Sequence, residues 1–227
     1  RRSSHPFHFN DLLGLLPWFP PGPVCDIGTG KGHLSASIAA YGFAVEALDV
    51  DPQALEHAAQ AYGNKVSWLH QDIRGYRLQR ESYAAIFCIN LFPFIPNGER
   101  ARIIGRLKAA LTPGGFLIVS GLSAADSAIQ EKWARSSNQI SFMPTGIFDE
   151  QELDQRLHDW DILFSFVGST SVEINTTTKE HQISQIIARK PLSTDTPEWS
   201  QIPHLGMGLN TYQGAPKIAV STQDFDF

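Results

Sequence analysis

The run Val24-Cys25-Asp26-Ile27-Gly28-Thr29-Gly30-Lys31-Gly32 constrains the fold more than any other part of this chain. An apolar strand stops at a glycine, two more glycines follow at alternate positions, and Leu34, Ile38 and Tyr41 then recur at helical spacing. Glycines are needed where the backbone turns sharply or a ligand must touch it. The helix that follows presents unpaired N–H groups at its start. A strand–glycine loop–helix unit at a sheet edge is therefore expected to hold a ligand. On its own it suits a dinucleotide pyrophosphate, a nucleotide phosphate, or nothing but a tight turn.

Three details narrow the choice. The spacing is Gly-x-Gly-x-Gly, and His33 stands where the dinucleotide fingerprint would have its last glycine. Asp26 lies just before the loop, where a carboxylate repels a pyrophosphate but suits a ligand carrying an ammonium and a sulfonium. No Gly-Lys-Ser/Thr follows, so the lysine and hydroxyl of a P-loop are missing.

The chain then alternates strand-like and helix-like segments, the mark of a mostly parallel sheet covered by helices. Strands are predicted at 44–50, 66–69, 85–89 and 116–120. Pro52 opens a helix with Leu55, Ala58, Ala59 and Tyr62 as its buried stripe. Another helix runs from about Glu99 to Leu111 with Ile103, Ile104, Leu107 and Leu111 inward, ended by Thr112-Pro113-Gly114-Gly115. Asp149 and Glu152 resemble a capping box before a short helix with Leu153 and Leu157 inward. Trp160 to Val167 alternates as a strand with Ile162, Phe164 and Phe166 on one face, and Ile183 to Ala188 is its antiparallel partner across a loop. The expected fold is α/β: a Rossmann-like, seven-stranded, mostly parallel sheet with an antiparallel C-terminal hairpin and helices on both faces. It occupies residues 1–190, and 191–227, rich in Pro, Gly, Thr and Ser, form an extended tail.

Two further acids fall where a ligand would meet them. Asp49 ends the second strand about 20 residues past the loop, where an acid accepts from ribose hydroxyls. Asp72 follows the third strand, where it could accept from an adenine amino group while Ile73 packs on the base. Asp51 is read instead as the cap of the helix that Pro52 opens.

The 227 residues are 42% hydrophobic and 18% charged, with a formal net charge of −5. That balance, with no run of like charge, argues against wrapping nucleic acid. No stretch reaches the roughly 18–20 apolar residues of a membrane span. Cys25 and Cys88 sit in apolar runs and read as reduced core residues, without the further ligands that zinc needs. The chain opens at Arg1 without a signal-peptide pattern, so a processed, trimmed or excised polypeptide is expected, at a cytoplasmic address.

Taken together, Asp26-x-Gly-x-Gly-x-Gly32, Asp49, Asp72, Ile86-Phe87-Cys88-Ile89-Asn90 and Leu111-Thr112-Pro113-Gly114-Gly115 resemble a class I S-adenosylmethionine-dependent methyltransferase over roughly residues 20–190. Phe148-Asp149-Glu150-Gln151-Glu152-Leu153, Trp160-Asp161-Ile162-Leu163, His181 and Ile186-Ile187-Ala188-Arg189-Lys190 are further similar to the tellurite-resistance methyltransferase group. The resemblance implies S-adenosyl-L-methionine as cofactor. It implies that Asp26, Gly28, Thr29, Gly30 and Gly32 hold the methionine end, that Asp49 holds the ribose and that Val50 flanks the adenine. Asp72 and Ile73 would hold the base, and Asn90 and Leu91 would line the floor near the sulfonium.

The acceptor side is less marked. His181, placed in the loop before the last strand, matches a histidine of the resembled group and is the candidate base; His70, His5 and His8 are weaker ones. Phe92, Phe94, Phe142, Met143 and Phe148 are candidates for an apolar acceptor pocket, with plain core packing as the alternative. Asn90-Leu91-Phe92-Pro93-Phe94 resembles only loosely the Asn-Pro-Pro-aromatic motif of nitrogen methyltransferases. The expected function is methyl transfer to a small molecule. A nicotinamide oxidoreductase, a non-catalytic binding module and a peptide-directed methyltransferase are the competing readings. The tail is a candidate arm for a homodimer or a partner enzyme.

Overall fold

A computed structural model of the chain describes residues 3, 5–122, 155–174 and 177–192. In chain order these form α1 (Phe9–Leu13), β1 (Val24–Ile27), α2 (His33–Ala40), β2 (Val45–Asp49), α3 (Pro52–Tyr62), β3 (Val66–His70), β4 (Tyr83–Ile89), α4 (Asn97–Ala110), β5 (Leu111–Leu122), β6 (Asp161–Ile174) and β7 (Thr177–Arg189). The strands join in one seven-stranded sheet of order β3-β2-β1-β4-β5-β7-β6. The first five are mutually parallel, and β7 runs antiparallel to both β5 and β6. This is the Rossmann-like architecture read from the sequence.

Alternation along the strands feeds two cores. Cys25, Ile27, Ile86, Cys88, Leu117 and Val119 point to one face, where Ile103, Ile104 and Leu107 of α4 cover them. Val24, Val45, Ala47, Phe87 and Ile118 point to the other, under Leu12 of α1 and Ile38 of α2. Cys25 and Cys88 are free and buried, and burial pushes both thiols up. On α3, Leu55 and Ala58 are buried, but Ala59, expected in the stripe, faces solvent. The 3.6-residue turn leaves it too far round the helix. Leu111 is buried as expected, yet it begins β5 opposite Tyr83 rather than ending the helix.

The hairpin departs further. Its strands run on to Ile174 and Thr177, through the stretch expected to be a loop. The register shifts between Ile162 and Phe164, so Leu163 is an extra residue in β6. The bulge flips the alternation: Ile162 packs on the α4 side while Phe164 packs with Phe7 on the other. The expected single face of Ile162, Phe164 and Phe166 is thereby broken.

The N-terminal segment is bound to the sheet. Ser3 N–H donates to the Ser165 carbonyl at 2.7 Å. The buried Gln185 amide accepts from Phe7 N–H at 2.8 Å and donates to the Phe7 carbonyl at 3.0 Å. Among the described residues, no helix is long and apolar enough to cross a membrane.

Candidate functional site

The carboxyl ends of β1, β2, β3 and β4 lie side by side, the edge at which open α/β sheets receive ligands. Beyond β1 the backbone takes positive φ at Gly28 (78°), Gly30 (53°) and Gly32 (80°), which side-chained residues rarely adopt. The three glycines do different things. A Cβ at Gly30 would meet nothing within 4 Å. A Cβ at Gly32 would stand 2.5 Å from the Trp68 ring and 2.8 Å from Ala58. Gly28 lies under Leu91, whose Cδ1 would be 3.5 Å from such a Cβ. Gly32 thus lets β3 and α3 close on α2, and Gly30 leaves open space beside the turn.

Asp26 is 2% exposed at the end of β1. Its Oδ2 accepts from Thr29 Oγ1 at 2.9 Å and from Ser35 Oγ at 2.6 Å. Burial raises its pKa to about 6, against the lowering effect of those two hydroxyls, and the Asp49 charge adds to the rise. A buried carboxylate held this way is complemented by a cation arriving from outside the fold.

Asp49 closes the far side of the loop. Its Oδ2 accepts from Gly30 N–H at 2.7 Å and its Oδ1 from Asp51 N–H at 2.9 Å. Each oxygen keeps a lone pair for a ligand hydroxyl. Val50, next in the chain, is 63% exposed, an apolar side chain at the mouth of the site. Asp51 caps α3, accepting from Gln53 and Ala54 N–H. His70 Nε2 lies 3.1 Å from the Val50 carbonyl and so belongs to the β2–β3 contact.

Asp72 pairs with the Arg74 guanidinium, with Nε at 2.8 Å, and accepts from Arg74 N–H at 2.8 Å. Arg74 holds its carboxyl below the usual range. Ile73 is buried among the α4-side core residues rather than standing at the surface. Asn90 takes φ of 54°, and its N–H donates to the Ser120 carbonyl at 2.6 Å. Leu91 is half-buried beside Gly28. Phe92 is 1% exposed and sealed in the core, whereas Phe94 is 44% exposed. Phe142, Met143 and Phe148, like the Asp149–Glu152 pair, lie outside the described residues. His181 stands within β7 opposite Thr170, not in a loop, because the hairpin ladder extends through it. Ile183, two positions on, pairs with Leu122 at the end of β5, so His181 is at the same carboxyl edge by register.

Sequence reasoning missed Ser35, Trp68 and Gln185. Ser35 sits in the first turn of α2, and helical phase alone would have aimed it at the strand end. Trp68 and Gln185 act across distant segments, on Gly32 and Phe7, and no local pattern marks them. Among the described residues, no group of His, Cys, Asp and Glu is arranged to hold a metal ion.

Residues 24–115 match a family described as a methyltransferase domain. That span holds β1 through the start of β5, with the glycine loop, Asp26, Asp49 and Asp72. Over that span the chain is similar to methyltransferase domains. An uncharacterized methyltransferase of Mycobacterium bovis is 32% identical over 115 residues, 49% of this chain and 56% of that protein. The chain spans about half the length of the curated relatives it matches. Among solved structures, TehB from Haemophilus influenzae superposes with a TM-score of 0.63 at 19% identity, over 81% of this chain and 62% of that one. That likeness is one of fold. A Burkholderia thailandensis 1,6-didemethyltoxoflavin N1-methyltransferase, crystallised with its substrate and S-adenosylhomocysteine, gives 0.55 at 17%, over 80% and 76% of the two chains.

The residues at this edge fit S-adenosylmethionine. The open space at Gly30, the lone pairs left on Asp49, the exposed Val50 and the buried Asp26 carboxylate match a backbone approach, a diol, an apolar ring and a cation, respectively.

Proposed function

We propose that this domain transfers a methyl group from S-adenosylmethionine to a small-molecule acceptor by direct displacement, within a unit spanning residues 1–190. The observation that carries the reading is the Asp26–Gly loop–Asp49 constellation: a buried carboxylate under an open glycine turn, tied by Gly30 N–H to a second carboxylate one strand away. The cofactor supplies an electrophilic methyl on a sulfonium.

The chain's residues hold and orient. Asp26, with Gly28, Thr29, Gly30 and Gly32, receives the methionine end; Asp49 receives the ribose and Val50 flanks the adenine. Asp72 belongs to the base side, where its use requires Arg74 to share it, and Ile73 backs it from the core. Asn90 and Leu91 floor the reacting centre. Orientation and exclusion of water can supply roughly 7–11 kcal/mol of such a barrier. Where the acceptor is a hydroxyl or an ammonium, His181 is our candidate to take its proton. Phe94, Phe142, Met143 and Phe148 are the candidate acceptor wall; Phe92 supports it from the core.

A small acceptor is favoured by the formal net charge of −5, which suits a phosphate backbone poorly. The N-terminal segment is clamped by Gln185, whose amide also donates to Ser120 Oγ at 3.3 Å, and the Ser120 carbonyl accepts from Asn90 N–H. A unit reaching residue 190 is supported by the pairing of Lys190 N–H and C=O with Gly115 and Gly114. Free, buried thiols suit the reducing cytoplasm.

Calorimetric titration with S-adenosylmethionine, S-adenosylhomocysteine and NAD tests the cofactor, and an acceptor screen read by S-adenosylhomocysteine release tests turnover. Saturable heat with both adenosyl ligands and none with NAD is expected. Binding of NAD in their place would overturn the reading.

A further inference from the structure

The connection between β3 and β4 and the outer face of α4 border an open groove of about 430 Å³, lined by Arg74, Arg77, Leu78, Arg80, Arg102 and Arg106. Five guanidiniums meet at one place in a chain whose formal net charge is −5. The sequence showed no basic patch because the residues are dispersed: every third position of a loop, and positions four apart on a helix. Folding assembles them.

The groove is pre-organised. Glu81 and Ser82 N–H donate to the carbonyls of Ala109 and Ala110 at 2.9 and 2.8 Å, fastening the loop to the end of α4. Arg106 Nη1 donates to the Ile73 carbonyl at 2.8 Å and the Arg74 carbonyl at 3.2 Å, and Arg102 Nη1 to the latter at 3.3 Å. Local carboxylates do not balance the charge. Asp72 pairs with Arg74, and Glu99 with Arg102 at 2.9 Å. Arg77 and Arg80 are exposed and make no ion pair among the described residues. Burial, and secondarily the like charge of Arg102, lowers the pKa of Arg106. Guanidiniums gathered in this way repel one another until an anion lies between them.

We propose that this groove is a second ligand site, one that binds clustered phosphate groups. Guanidinium forks match phosphate oxygens two by two, and arginine is the side chain that uses this geometry best. The volume is that of a small-molecule site. No aromatic side chain lines it, so it offers phosphate recognition without the stacking platform that single-stranded nucleic acid uses. A free polyphosphorylated anion and a phosphoinositide headgroup present the same chemistry.

The full chain is titrated with inorganic triphosphate by calorimetry at low ionic strength. In parallel it is floated with phosphatidylcholine vesicles containing phosphatidylinositol bisphosphate. One-to-one saturable heat that weakens with salt is expected. The R77Q/R80Q double variant should lose about tenfold in triphosphate affinity. It should keep the wild-type melting temperature and S-adenosylhomocysteine affinity. Flotation competed away by triphosphate identifies the lipid source; heat without flotation identifies the free anion. Absence of both, equal affinity in the double variant, or binding of single-stranded RNA without triphosphate would each overturn the proposal. None of these outcomes bears on the methyltransferase reading, which the S-adenosylhomocysteine titration tests separately.

Discussion

The two halves of the sheet solve different problems. From β3 to β4 the strands are parallel, four to seven residues long, and stop at a common edge, so Asp26 and Asp49 stand at strand ends there and Asp72 in the loop beyond β3. In the hairpin, β6 and β7 run 14 and 13 residues, and a bulge switches side chains from one core to the other. Short strands buried on both faces expose their ends to a ligand. Long antiparallel strands instead cover: Phe164 packs on Phe7 and Gln185 clamps it. Binding is thus concentrated at strand ends in one half, and enclosure along strand lengths in the other.

Substitutions should separate these roles. Gly32→Ala should have the largest effect, about 3 kcal/mol of stability, since its Cβ meets Trp68 and its φ is left-handed; Gly30→Ala, with open space, should cost about 1 kcal/mol. Denaturant melts of the two variants check the difference, and equal losses would show that packing does not set the loop. In the hairpin, Phe166→Ala empties a small cluster with Ile183 and Phe164 and should cost about 2 kcal/mol without altering S-adenosylhomocysteine affinity. A matching loss of affinity would mean that the hairpin shapes the cofactor side too.

Asp49→Ala should reverse that pattern: more than about tenfold weaker S-adenosylhomocysteine binding in a chain that still folds. Unchanged affinity in calorimetry would displace the ribose from Asp49. Asp26 gives a pH signature. Its folded pKa, about 6, lies above that of an ordinary aspartate, so its neutral form stabilises the fold at low pH and that contribution is lost as pH rises through about 6. A cationic ligand favours the ionised form, so affinity should rise about tenfold between about pH 5 and about pH 7, and Asp26→Asn should flatten the slope. The smallest effect is expected for Asp161→Asn, which removes the exposed bridge to Arg189 across the hairpin: under about 0.5 kcal/mol, read as a shift in denaturation midpoint.

Legibility followed the same division. The strand at Val24–Ile27, the cap at Asp51 and the hairpin pairing of Ile183–Ala188 with β6 could be read directly, because a strand, a cap and a hairpin are set by residues close to one another in the chain, whereas the pairing of β7 with β5 came only with the fold. Ala59, the extent of the hairpin and the phase of Phe164 were misread. Each depends on a neighbour far along the chain: α3's seat on β3, or the partner strand that absorbs Leu163. Asp72 was placed at the right edge, but its pairing with Arg74 belongs to the fold of the loop.

By itself the sequence determined the α/β class, the glycine turn and the acids at its strand ends, since periodicity and backbone freedom are local properties of the chain. Tertiary structure alone decided which carboxylate would be buried with a raised pKa, which glycine must admit Trp68, which amide clamps the N-terminal segment, and where five scattered arginines would meet. Those are matters of distance and dielectric between segments remote in the chain, and neither exists until the sheet has closed.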